Sequence, residues 1–367
     1  MKKRDASMDY LKVLSIIFIV LFHYFWNAKY NWAEFSTSKR IVIDAFYMLG
    51  ELGVNCFALV SGYYLSASRQ PFRFKKLRSL WVQVFLYSLL SAVMIHRYVK
   101  PYKFSIPTLL GILLPVTYNV WWYTTAYVLL YILSPYINRC LTNLSQREYK
   151  RFVIILVGIF SLIPTILGAY SKNTESFLYY NRFLWLVVLY CVAGYIRLHG
   201  DSLLTKYSKQ STKRLFWFLI HIATWLVLIG YIAVMEIWPD ILGEKIIMDA
   251  IYFWRPNSFL MLILSVSLFL FFKEINLRGG RIITFLASAT LGIYMTHGGR
   301  SASFWWNRIF HNPEYQGTWM VFADAFTALA TIFCVGVVLE LIRQSVTKLI
   351  TWIIANLNFE SEPPISN

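Results

Sequence analysis

The sequence predicts an all-α fold: a polytopic membrane helix bundle of about ten transmembrane helices, with both termini in the cytoplasm. Three observations predict it. Of the 367 residues, 58% are hydrophobic and only 14% charged, and mean hydropathy is +0.53, which is too apolar for a soluble domain of this size. Apolar runs near the thickness of a bilayer's hydrocarbon core recur from end to end. The basic residues also collect in alternate loops. With the N-terminus inside, inner segments hold 22 of the 35 Lys and Arg and outer loops 12, Lys12 at a helix edge being the remaining one. That bias follows the positive-inside rule.

Leu11–Ala28 opens the bundle. It is long, aromatic-rich and followed by no small-residue cleavage site, so it is expected to stay as a helix. The later spans are read as Asp44–Ser66, Leu77–His96, Val120–Asn138, Phe152–Tyr170, Phe183–His199, Leu215–Met235, Asn257–Phe272, Ile282–His297 and Trp319–Leu341. Each has roughly 16 to 23 residues, matching a ~30 Å core at ~1.5 Å per residue. Ile106–Val116 is too short, contains Pro107 and Pro115, and reads as a re-entrant or interfacial piece. Thr347–Leu357, with Trp352, reads as an amphipathic helix on the inner surface. Residues 1–357 thus form a single integral membrane domain and 358–367 a short disordered tail. No internal repeat of the kind found in many secondary transporters is visible.

A net charge of +17 would raise nucleic-acid binding in a soluble protein. Here the basic residues lie in short loops between spans, so membrane lipid head groups and a phosphate-bearing ligand are the expected partners, and no nucleic acid is. Cys56, Cys140, Cys191 and Cys334 show neither metal-site spacing nor a disulfide pattern. There is no nucleotide loop, zinc signature, nucleophile elbow or haem pattern, and no metal is expected.

The chemistry-bearing candidates begin with His23. An ionisable ring that deep in an apolar span is costly unless it finds a partner or a wet cavity. Taken alone, it is either a packed neutral ring or a general base or acyl acceptor. Lys12, eleven residues earlier, is either a snorkelling anchor or a ligand contact. Gly50, Gly53 and Ser61–Gly62 offer close-packing surfaces on the second span. Glu51 and Asn55, four apart on one face, are read as catalytic companions of His23, the carboxylate orienting the ring, binding a polar substrate, or else simply solvated near the outer water boundary. Arg73, Lys75, Lys76 and Arg78 follow in one inner loop, two pairs three apart suited to phosphates. Tyr123, Tyr127 and Tyr131 recur every four residues, with Trp121 and Trp122 read as interfacial aromatics; buried tyrosine hydroxyls want partners, so Tyr123 and Tyr127, with Ser61, are read as substrate-facing. Arg182 is an electrostatic clamp or a lipid contact, and Arg255 carries the same ambiguity. His297 ends the ninth span at the same side as His23. His96, His199 and His221 are read as structural.

These residues resemble the acyltransferase-3 family of integral membrane O-acyltransferases, in its surface polysaccharide O-acetyltransferase branch. The family's basic residue, ten residues and essential histidine fall on Lys12 and His23. Its glycine-valine, phenylalanine, serine-glycine pattern falls on Gly53–Val54, Phe57 and Ser61–Gly62. Its basic pair three apart falls on Arg73/Lys76 or Lys75/Arg78, each pair with one lysine. Its tryptophan-tyrosine-rich helix ending in proline matches Trp121 to Pro135, and its closing glycine-isoleucine-tyrosine run and histidine match Gly292–Tyr294 and His297.

The resemblance implies an O-acyltransferase in the bacterial cytoplasmic membrane. Acetyl-CoA or another acyl-CoA would be the donor, held by Lys12 and the basic loop. A surface polysaccharide or lipid-linked oligosaccharide would be the acceptor, and proteins of polysaccharide synthesis partners. His23 would deprotonate the acceptor hydroxyl or carry the acyl group, with serine, tyrosine or Arg182 side chains stabilising the oxyanion. Two other classes compete with this reading. One is a glycan or lipid transporter in which His23, Glu51 and Arg182 line a path; the other is a non-catalytic membrane partner.

Overall fold

The computed structural model describes residues 5–28, 30–66, 68, 73–99, 105–167, 180–200, 209–242, 250 and 252–359. It is an all-α membrane bundle. The helices are α1 (Ala6–Asn27), α2 (Thr37–Ser66), α3 (Phe74–Tyr98), α4 (Ile106–Leu113), α5 (Trp122–Thr142), α6 (Gln146–Val157), α7 (Ile163–Leu167), α8 (Arg182–His199), α9 (Gln210–Leu242), α10 (Phe259–Glu274), α11 (Arg281–His297), α12 (Ala302–Phe304) and α13 (Met320–Phe359). α6 and α7 are one helix joined through a π turn at Gly158–Leu162. Among the described residues, seven helices are long and apolar enough to cross a membrane: α1, α2, α3, α6–α7, α8, α9 and α13.

The other three expected spans are helices that fall short of that measure. α10 and α11 have 16 and 17 residues, and α5 is diluted by threonines, tyrosines and the Asn138–Arg139 pair near its end. The piece with two prolines becomes α4, eight residues long, started by Ser105 as N-cap and with Pro107 in its first turn, where a missing N–H costs nothing.

The end of the chain departs from expectation. Thr347–Leu357 is no separate surface helix. It continues α13, which runs 40 residues without a break, about 60 Å and twice a hydrocarbon core. Nothing between Leu341 and Thr347 is a glycine or proline, and the turn is tied by Arg343 and Gln344 donating to Glu340. Asn358 and Phe359 of the expected tail belong to α13; residues 360–367 lie outside the described residues.

The most extensive packing joins α1 to α2, and α2 in turn packs on α8 and α10 while α1 packs on α11. The glycines of α2 explain the closeness. A Cβ at Gly53 would lie 2.6 Å from the Ser15 carbonyl, and one at Gly62 3.0 Å from the Tyr190 Cα, so small residues admit the neighbouring backbones. One hydrophobic cluster centres on α2, α8 and α10 and a second on α1, α11 and α13.

Candidate active site

Helical periodicity puts Lys12, Ile16, Ile19, His23 and Trp26 on one face of α1. That face lines a cavity of about 920 Å³, walled also by α2, α3, α5, α11 and the segments around Tyr180–Arg182 and Tyr252–Pro256. The size is that of a small-molecule site. Lys12 and His23 both line it, so it extends along α1 by at least the ~16 Å that eleven helical residues span.

His23 and His297 form a pair. His23 Nδ1 lies 3.0 Å from His297 Nε2, and His297 Nδ1 lies 2.7 Å from the Ile293 carbonyl. A carbonyl only accepts, so His297 Nδ1 carries a proton and donates it. The Nε2 of that ring is then the acceptor, and His23 Nδ1–H donates to it. His23 Nε2 is left with its lone pair. The rings meet at 60° with centroids 5.0 Å apart, and Asn27 Nδ2 donates to the His23 carbonyl at 2.7 Å. The partner that sequence spacing offered for His23 was Glu51; the geometry gives that place to His297.

Three indoles hold His297 in position. The last carbonyls of a helix have no intrahelical donors. Here Trp305 Nε1 donates to the Thr296 carbonyl (2.8 Å), Trp306 Nε1 to that of His297 (3.2 Å) and Trp121 Nε1 to that of Gly298 (3.0 Å). The chain then turns at Gly299 with φ +59, where a Cβ would lie 2.6 Å from the Val120 carbonyl, so glycine is required. Trp121, expected at the membrane interface, is instead 1% exposed because its N–H is needed inside.

The facing wall is α2. Gly50 packs on Phe22, and Gly53 on Ser15 and Ile19, an antiparallel register that puts Glu51 within a turn of His23. α8 runs parallel to α2: Trp185 Nε1 donates to Asn55 Oδ1 at 2.9 Å, and Gly62 meets Tyr190 and Ala193. The same offset sets Glu51 level with Asn181 and Arg182. Asn181 caps α8 by accepting from Leu184 N–H at 3.0 Å, which fixes Arg182 as the first helical residue. Arg182 is the charge that acts on Glu51. Beside them, burial and then the Glu51 charge push the Tyr180 hydroxyl well above its ordinary pKa, with Arg182 opposing. Glu51, Arg182 and Tyr180 therefore share one end of the cavity.

Lys12 and Lys76 mark the other end. Lys12 lies over the Tyr64 ring and Lys76 over the Tyr131 ring at 4.7 Å. Lys76, Ser79, Leu80 and Gln83 line the cavity at one helical face of α3, and Arg73, the extended residue that precedes the helix, does not. Lys75 and Arg78 are exposed on other faces and line no part of it. Of the four basic residues Arg73, Lys75, Lys76 and Arg78, Lys76 is the one that lines the cavity. Ser61, Tyr123 and Tyr127 line it between the ends.

Asn55 does not join the cavity. Its amide donates to the Pro256 carbonyl (2.8 Å) and Ser265 Oγ (3.2 Å) while accepting from Trp185. It is a fully satisfied buried node that ties α2 to α8 and α10. Among the described residues, no group of three His, Cys, Asp or Glu is placed to hold a metal.

The chain matches the acyltransferase-3 family model, described as an acyltransferase domain, over residues 5–341. The chain belongs to the acyltransferase-3 family. No curated protein and no solved structure matches it. The acyltransferase domain so defined contains the whole cavity and stops within α13. Sequence reasoning about this acyltransferase missed Trp305, Trp306 and Tyr180, and it misread Trp121. The tryptophan pair eight and nine residues past His297 was the available signal, since a paired indole in a polar loop seldom lacks a carbonyl to bind.

Proposed function

We propose that this acyltransferase moves an acyl group, acetyl in the first instance, from cytoplasmic acyl-CoA to a hydroxyl of an extracytoplasmic surface glycan or its lipid-linked precursor. The observation that carries the proposal is the His23–His297 pair, whose free Nε2 belongs to a ring lining a cavity with lysines at one end and a carboxylate and guanidinium at the other. Charge bias in the loops supports cytoplasmic termini in a bacterial cytoplasmic membrane and ten crossings, which puts Lys12, Arg73 and Lys76 on the cytosolic side.

In this reading the CoA phosphates dock against Lys12, Arg73 and Lys76, and the thioester reaches His23. The acceptor hydroxyl gives its proton to His23 Nε2 while its oxygen attacks the thioester carbonyl. The tetrahedral intermediate collapses with cleavage of the C–S bond, and the departing thiolate takes the proton from His23 to leave as CoA-SH. His297 accepts the Nδ1–H bond throughout and spreads the transient imidazolium charge. It plays the orienting part that a carboxylate plays beside many catalytic histidines. The Tyr123, Tyr127 and Ser61 hydroxyls line the path and serve as donors to the intermediate's oxyanion. Proteins of polysaccharide synthesis would present the acceptor.

The test is His23→Ala, purified and reconstituted with labelled acetyl-CoA and the host's own surface glycan. The expected result is a folded protein that binds acetyl-CoA and has lost acetyl transfer by about 10³-fold or more. Wild-type transfer rates in that variant would overturn the mechanism.

A further inference from the structure

Beyond His23 the cavity opens onto an aromatic wall. Trp26 follows His23 by three residues on the same face of α1, about 4.5 Å further along the axis, and both line the cavity together with Trp254. Trp26 is 54% exposed. A tryptophan of the membrane-interface belt turns its ring to lipid. The face of α1 that carries Trp26 is the one that carries Lys12 and His23, so the exposed indole surface belongs to the cavity.

The indole is held from behind. Trp26 stacks on Phe22, with centroids 5.7 Å apart and planes at 19°, and Phe22 in turn packs on Gly50. Tyr47 meets Trp26 edge-on at 5.9 Å and 81°, and Trp254 leans toward it at 5.5 Å and 41°. With Phe22 on one face and two rings at its flanks, Trp26 offers its other face to the cavity. Trp254 is fixed as well. It closes the short helical turn Tyr252–Trp254, which is tied down by Ser258 Oγ donating to the Phe253 carbonyl at 2.6 Å and by Asn55 donating to the Pro256 carbonyl at 2.8 Å. Rings that are already packed lose little freedom when a ligand lies on them.

A bare aromatic wall would suit any apolar surface, but this one has polar groups beside it. Asn27, Glu51 and Tyr180 line the same cavity, Asn27 one residue from Trp26 and Glu51 within a turn of His23. An aromatic plane next to amide, carboxylate and hydroxyl groups complements a molecule with one flat apolar side and a polar edge. A pyranose ring is such a molecule: its C–H bonds make a face apolar, and its hydroxyls form the rim. A lipid chain has no polar edge. The nucleotide of an acyl-CoA is flat, but its phosphates belong with Lys12 and Lys76 at the opposite end.

Resting on the acyl-transfer reading above, we infer that Trp26 and Trp254 form a sugar-stacking subsite: a pyranose ring of the acceptor lies on the Trp26 indole, and this contact sets the acceptor hydroxyl at His23 Nε2.

The experiment uses the full-length protein in nanodiscs. The probe is a set of oligosaccharides cut from the host's surface glycan and freed of O-acetyl groups by mild base. In calorimetry Trp26→Ala should bind them about tenfold more weakly than wild type, and Trp26→Phe, which keeps a flat ring, should recover most of the loss. With labelled acetyl-CoA, the alanine variant should show a raised KM for the oligosaccharide, with kcat and the KM for acetyl-CoA within about twofold of wild type. Hydroxyl-radical footprinting read by mass spectrometry needs no variant to fold: in wild type, the oligosaccharide should lower oxidation of Trp26 severalfold. Equal oxidation of Trp26 with and without the oligosaccharide overturns the inference while leaving acyl transfer standing, and so does an alanine variant that binds as tightly as wild type. Protection of Trp26 together with weakened binding in the alanine variant upholds the subsite even where wild type transfers no acetyl group, and in that case it is the acyl-transfer reading that fails.

Discussion

Glu340 on α13 and Glu51 on α2 are both carboxylates set into apolar helices, and their surroundings differ. Glu340 is 1% exposed and accepts from Arg343 through two bonds (2.9 and 2.6 Å), from Gln344 (3.0 Å), Tyr87 (3.3 Å) and Gln83 (3.4 Å). Gly292 on α11 makes room for it, since a Cβ there would lie 2.8 Å from Glu340 Oε2. Glu51 accepts no hydrogen bond from any described residue, lines the cavity, and has Arg182 as its charged neighbour. The saturated carboxylate joins α3 to α13. The carboxylate that lines the cavity has no such ties, so it contributes less to the stability of the bundle.

The comparison can be broken most forcefully at Glu340. Replacing it with alanine strands Arg343 and should destabilise the protein by about 3–5 kcal/mol, read as a large fall in the thermal unfolding midpoint in detergent. His297→Ala comes next. It leaves His23 Nδ1–H without its acceptor, and kcat should fall about 10²-fold or more with the KM for acetyl-CoA nearly unchanged; His297→Gln, which still offers an acceptor oxygen, should recover part of the loss. Glu51→Gln should lower kcat/KM for the acceptor by about tenfold while leaving the unfolding midpoint within a degree or two, the reverse of the Glu340 pattern. A Glu51 variant that unfolds early, with intact turnover in the folded fraction, would put the two carboxylates in one class. The smallest effect sharpens the donor end. Lys76→Gln should raise the KM for acetyl-CoA severalfold and Arg78→Gln should change it by less than about twofold, measured side by side.

How much of this was legible in the sequence depends on the range of the interaction. The period of α1 is local, so Lys12 and His23 could be placed on one face, and the apolar runs located every principal helix. The two prolines marked α4 as a short piece. The C-terminal reading failed because hydrophobicity falls after Leu341 while helix continuity is decided by the absence of a breaker and by the Glu340–Arg343 turn. The His23–His297 bond joins residues 274 apart in the chain, and no spacing rule reaches that far. Spacing favoured Glu51 and Asn55 as a pair, yet α2 is buried on several sides, and Asn55 is claimed by Trp185, Ser265 and Pro256. Which of Arg73, Lys75, Lys76 and Arg78 would face inward was undecided until the start of α3 at Phe74 fixed the register, which turns Lys76 to the cavity.

Helix α1 carries Lys12 and His23 with no proline or glycine between them, and its far end is tied to α13 by the Tyr24 hydroxyl donating to Asp324 at 2.7 Å. An unbroken helix is a stiff rod, so the distance along it from Lys12 to His23 is a constant of the molecule. For a donor anchored by its phosphates at Lys12, α1 is then a gauge cut to one length of arm. A thioester on a shorter or longer carrier would be gripped as firmly and would present its carbonyl short of, or past, the imidazole. Selectivity for the carrier would in that case reside in the helix's dimension, with no contact to the carrier's middle required.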